Sequence, residues 1–157
     1  MGAVNYYTSD YITMGYDLSW DYCENDFNSF EEMCECRQLD IDESWFMVNE
    51  LLEKQNFWYY HVVIKPGYYE GFTIDIENNF PVAFDNWEDR RYANKEVTRI
   101  KAFLMACCDL GMVQVWPGWC TSYETAAETK TAITAAIREM REEIKTIPTW
   151  TQYEKAV

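Results

Sequence analysis

Histidine is nearly missing from this chain of 157 residues, and glycine and proline are sparse: one His, six Gly and four Pro. Imidazole chemistry therefore has one candidate, His61, which sits between Tyr60 and Val62 in a strand-like stretch. A packed or surface histidine is the ordinary occupant of such a place. No glycine-rich phosphate loop occurs, and Lys65-Pro66-Gly67 reads as a turn. No apolar run approaches the roughly 18 residues that would span a bilayer. The opening "MGAVNYYTSD" lacks the basic-then-apolar order of an export signal. Gly2 resembles the start of a myristoylation motif, but Tyr6 and Tyr7 fit that motif poorly. A cytoplasmic protein is expected.

Bases are the other scarcity. Residues 1–89 carry 3 Lys or Arg against 19 Asp or Glu, whereas residues 90–157 carry 10 against 8. The net charge of −14 thus belongs to the front of the molecule. Such a chain is repelled by nucleic acid and by anionic membranes, so direct binding to either is not expected. Hydrophobic residues at 48% and aromatics at 17% argue against disorder, and the length suits one domain over 1–157.

Six cysteines form an even set: Cys23, Cys34, Cys36, Cys107, Cys108 and Cys120. Without an export signal they read as reduced thiols, several of them buried, and the neighbours Cys107 and Cys108 would not readily bridge each other. "CEC" is not the two-residue-spaced pair of a zinc site. A calcium loop counted from Asp21 puts Cys23 at a ligand position and Asp26 where glycine must stand, so it fails. With 27 acids, any chosen pair is uninformative for two-carboxylate catalysis. No metal, no cofactor and no enzymatic activity are expected. Cys120 and His61 are the residues to test if catalysis were found.

The element pattern reads as follows. "YITMGYDLSW" is weakly strand-like. A short helix spans about Ser29–Gln38, with a Ser29/Glu32 capping box. Phe30, Met33, Cys34 and Arg37 share one of its faces, and Glu31 and Glu35 lie opposite. A second helix begins after Asp42, with Trp45, Val48 and Leu52 inward and Glu43, Glu50 and Glu53 outward. Phe57–Ile64 and Tyr69–Glu77 form a hairpin around Pro66-Gly67. In its second strand Asp75 and Glu77 occupy a wet face opposite Phe72, Ile74 and Ile76. "PVAFDNWEDRRYANKE" reads as a loop. A helix from Asn94 to Leu110 presents Val97, Ile100, Leu104 and Cys107 and is capped by Gly111. A short strand, 112–116, precedes the last long helix, about Ser122–Ile147, whose Thr121/Glu124 box opens it. Ile133, Ile137, Met140 and Ile144 line one side, and Trp150 and Tyr153 fold back on the body. The expected class is α+β: a small, mainly antiparallel sheet with a central hairpin, two long C-terminal helices and two short acidic N-terminal ones.

"DYCENDFNSFEEMCECRQLDIDESW" (21–45) sets Asp21, Glu24, Asp26, Glu31, Glu32, Glu35, Asp40, Asp42 and Glu43 against Arg37 alone. Solubility would be served as well by mixed signs, and like charges four apart cost a helix a few tenths of a kcal/mol. The acids are interleaved with Trp20, Tyr22, Phe27 and Trp45, the residue types that anchor interfaces. Together with Glu50 and Glu53, and with Asp75, Glu77, Glu88 and Asp89 as further candidates, they suggest a surface that fits a Lys/Arg groove. In size, charge and aromatic content the chain resembles, as a class, the small acidic inhibitors of phages and mobile elements, of anti-restriction and anti-CRISPR type. That resemblance implies a bacterial cytoplasm and a basic partner: a nuclease or defence effector whose nucleic-acid groove is blocked. An immunity protein or antitoxin against a basic nuclease toxin shares this physics. A small enzyme modifying a defence factor is the rival from another class. Aromatic edges leave a homodimer open.

Overall fold

The computed structural model describes residues 12, 14–15, 27–36, 39–66, 72–114 and 126–156. Its elements in chain order are β1 (Met14–Gly15), α1 (Phe30–Cys36), α2 (Ile41–Glu53), β2 (Tyr60–Pro66), β3 (Phe72–Asn78), α3 (Trp87–Asp109), β4 (Val113–Gln114), α4 (Ala126–Thr146) and α5 (Trp150–Ala156). The fold is α+β.

The helix expected from Asn94 begins at Trp87. Asn86 caps it: its side-chain oxygen accepts the N–H of Glu88 at 2.9 Å and of Asp89 at 3.1 Å. Glu88 and Asp89 then sit in the first turn, where the helix dipole favours acids. At the other end Gly111 takes φ 91°, a left-handed conformation that glycine adopts without a Cβ clash. Between these ends Val97, Ile100, Leu104 and Cys107 are buried as their spacing requires. So are Ile133, Ile137, Met140 and Ile144 of α4. The two stripes share one core with Met14, Ile74 and Ile76 of the sheet. Arg141 of α4 locks the pair, donating to the Asn94 carbonyl (3.2 Å) and the Thr98 hydroxyl (2.8 Å) of α3. The residues of the expected Thr121/Glu124 capping box lie outside those described.

The sheet runs β2-β3-β1-β4, every neighbouring pair antiparallel. The hairpin supplies the edge strand β2 and the inner strand β3. Its register sets Pro66 opposite Phe72, so Pro66 ends a strand rather than making the turn; residues 67–71 lie outside those described. The wet outer face expected on β3 is not there: Asp75 and Glu77 are 7% and 6% exposed. β3 is an inner strand, hydrogen-bonded to a neighbour along each edge, and alternation of apolar and acidic residues cannot report which neighbouring side chains flank the acids. Phe84 anchors the C-terminus in a short parallel bridge. Its N–H donates to the Pro148 carbonyl (2.8 Å) and its carbonyl accepts from Trp150 (2.9 Å). The expected return of the tail to the body is thus a backbone pairing, while the Trp150 and Tyr153 rings stay partly exposed.

Candidate functional site

Two caps fix the acidic helices. The Ser29 hydroxyl accepts the Glu32 N–H (3.1 Å), and the Glu32 carboxylate reaches back to the Asn28 N–H (2.8 Å). Asp40 accepts the Glu43 N–H at 2.9 Å, so α2 opens at Ile41, earlier than expected, with Asp40 as its cap. Glu32 and Asp40 therefore have local work, and the acidity at those two positions is explained by helix capping. Trp20, Asp21, Tyr22, Glu24 and Asp26 lie outside the described residues.

Glu31, Glu35, Asp42, Glu43, Glu50 and Glu53 are exposed. None of the ion pairs among the described residues, namely His61–Glu77, Lys130–Asp109 and Lys145–Glu142, involves α1 or α2. The inward face of α2 is Ser44 and Val48, with Ile41, Leu51 and Leu52 half-buried against the core. The Ser44 hydroxyl reaches the Leu110 carbonyl at 3.5 Å, where α3 ends. Trp45, expected inward, is instead 42% exposed, beside Phe46 at 62% and Met47 at 39%. The reason is geometric: consecutive residues on a helix diverge by about 100°, so no single packed face can take all three. Phe46 stands four residues from both Asp42 and Glu50, three from Glu43 and seven from Glu53. All five positions therefore share the solvent side of α2. The sequence reading missed Phe46 and Met47; the run "WFM" between two buried positions four apart was the available signal.

The segment after α2 is gripped by α3. Glu96, fully buried, accepts the Trp58 N–H on both carboxylate oxygens (2.9 and 3.0 Å) and the Tyr59 N–H on Oε1 (2.9 Å). Burial holds its carboxyl above the ordinary value, opposed by those N–H groups and by Arg99. One turn on, Arg99 donates to Gln55 Oε1 (3.2 Å) and the Asn56 carbonyl (3.1 Å) and stacks over Phe57 at 4.9 Å. Strand β2 consequently starts at Tyr60, not Phe57, because the N–H groups of 58 and 59 face α3. Burial, then the carboxylates of Asp89, Glu96 and Asp85, pushes the Tyr59 phenol up to about 12. Trp58 itself stays 73% exposed on this clamped backbone.

His61 and Glu77 approach to 3.8 Å in an open cleft of about 470 Å³ lined by Phe57, Trp58, Tyr60, His61, Glu77, Asn78 and Asn79. Among the described residues no serine, threonine, cysteine or lysine lines that cleft, so none of them sets such a nucleophile beside His61 there. Cys107 and Cys108 are core residues; Cys120 lies outside the described residues. Among the described residues no three His, Cys, Asp or Glu side chains converge as a metal site, and no helix is long and apolar enough to cross a membrane.

The chain matches no protein-family model, no curated protein and no solved structure.

Proposed function

We propose that the protein is an acidic inhibitor that docks the outer face of α2, with α1 beside it in sequence, into a Lys/Arg-lined groove of a nucleic-acid-binding effector and so excludes nucleic acid. One observation carries this reading. Phe46 lies exposed in a setting of Asp42, Glu43, Glu50 and Glu53, carboxylates that no base of the described residues neutralises. An exposed aromatic ringed by one sign of charge is the composition of an interface anchor with a steering rim.

Helix energetics add weight. Asp42 and Glu43 sit at the N-terminal end of α2, where acids stabilise it. Glu50 and Glu53 sit in its last turns, which hold no base, and there the dipole opposes them by up to about 0.3–1 kcal/mol each. Lys54, the C-cap residue four positions after Glu50, offsets part of that cost, and a cationic groove on a partner would offset the rest. Tagged protein incubated with bacterial lysate at low salt and eluted on a salt gradient tests the reading. A nucleic-acid-binding protein should be retained, be released as salt rises, and lose its nucleic acid to the inhibitor in stoichiometric competition. Retention of only neutral or acidic proteins, or loss of activity in the target at catalytic rather than stoichiometric doses, would overturn it.

A further inference from the structure

A second recess, of about 420 Å³, has a lining that includes Trp58, Phe80, Phe84, Asp85, Asp89 and Trp150 and no residue of α1 or α2. We propose that this recess is a receptor for one arginine side chain of a basic polypeptide, the guanidinium stacking on the aromatic wall and pairing with Asp85 and Asp89. This site is separate from the α2 face and does not depend on the function proposed for it.

The backbone of the walls is held before any ligand arrives. Glu96 pins the backbone of Trp58. The pairing of Phe84 with Pro148 and Trp150 pins the opposite side. Beneath them Tyr59 meets Phe84 edge-on, ring centroids 5.4 Å apart, and Phe80 at 6.3 Å. Backbone held in this way lowers the ordering cost of binding.

Charge chooses the occupant. Asp85 is exposed and Asp89 half-buried, and neither carboxylate is in an ion pair among the described residues. Both act on the Tyr59 hydroxyl, which places their field at the recess. An anion would be repelled. A purely apolar group would strip water from two carboxylates and give nothing back. A guanidinium answers both demands: it is flat, weakly hydrated, stacks on aromatic faces and forks onto carboxylates, which an ammonium does less well. The fold already uses this contact twice, with Arg99 over Phe57 at 4.9 Å and Arg90 over Phe84 at 6.0 Å. Arg90 does not line the recess; its guanidinium is engaged by the Ile147 carbonyl (2.6 Å) and Gln152 (3.3 Å).

The test follows the indole N–H signals of Trp58 and Trp150 by NMR in the full chain while acetyl-Gly-Arg-Gly-amide is added. Parallel titrations use the citrulline and lysine counterparts and tetramethylammonium. The arginine peptide should shift both indoles saturably, the citrulline peptide should not, and lysine should bind more weakly. Trp58→Ala, or Asp85→Asn with Asp89→Asn, should weaken binding by about fivefold or more while the remaining spectrum stays native. Glu50→Lys with Glu53→Lys should leave it unchanged. Equal shifts with citrulline, indifference to the Asp substitutions, perturbation confined to Trp45, or stronger binding of tetramethylammonium than of arginine would each overturn the assignment.

Discussion

Glu96 holds Trp58 by its main chain alone: both carboxylate oxygens accept the one N–H, at 2.9 and 3.0 Å, while the indole remains in solvent. A fully buried acid is thus used to fix the backbone beneath an exposed aromatic. Replacing it by alanine leaves the N–H groups of Trp58 and Tyr59 without acceptors, at about 1–3 kcal/mol for each buried group. Glu96→Ala should lower the urea midpoint accordingly and blur the Trp58 signals before the rest of the fold melts. A loss under about 0.5 kcal/mol would contradict the role given to this carboxylate.

The same residue sets a pH dependence. Burial raises the folded carboxyl above its ordinary 4.5, so the folded state binds that proton more tightly than the unfolded chain. The resulting stabilisation is complete below about 4.5 and is lost as pH climbs through the folded value. Glu96→Gln keeps an acceptor oxygen without titrating. The stability of the native protein relative to Glu96→Gln should therefore fall as pH rises from about 4.5 toward neutrality. Urea titrations across that range would contradict this if the difference stayed flat or grew.

On α2, exposure separates folding from docking. Val48 is fully buried, and Val48→Ala should cost about 2 kcal/mol. Phe46→Ser should change stability by less than about 0.5 kcal/mol yet weaken partner binding about tenfold or more. Thermal melts and binding isotherms on the two variants should move in opposite ways; a Phe46→Ser protein that binds normally removes the anchor.

Thiol chemistry should divide by burial. Cys107 is pushed up to about 12, chiefly by burial, and Cys108 is raised for the same reason, so both resist becoming thiolate. Cys36 is exposed. At mildly alkaline pH iodoacetamide should modify Cys36 promptly and reach Cys107 and Cys108 only at the rate of global unfolding, a difference that peptide mapping by mass spectrometry resolves.

Much of this was readable in the residues. The stripes of α3 and α4, the glycine stop at Gly111 and the Ser29 cap each depend on local spacing, and local spacing is what a sequence displays. The start of α3 was also present, as Asn86 followed by Glu88 and Asp89, but Trp87 and the charges around it looked like loop. What spacing could not show was tertiary. Asp75 and Glu77 are buried on an inner strand, where Glu77 lies 3.8 Å from His61 of the neighbouring strand. The grip of Glu96 on Trp58 joins residues 38 apart. The outward turn of Trp45 follows from α2 packing on Ser44 and Val48, a choice of face that the sequence left open between Val48 and its aromatic neighbours.

The most direct test of the acidic surface reverses charges where reversal should help the fold. Glu35, Glu50 and Glu53 lie at the C-terminal ends of α1 and α2, which carry no base in their last turns, so Glu35→Lys, Glu50→Lys and Glu53→Lys together satisfy the helix dipoles. Thermal stability should hold or rise. Affinity for the protein captured from lysate should collapse, and native binding should weaken as salt goes from about 0.1 to 1 M and the Debye length shrinks from about 10 to 3 Å. A triple variant that folds and binds like the native protein, with the same salt profile, would show that this face of the molecule meets no cationic groove.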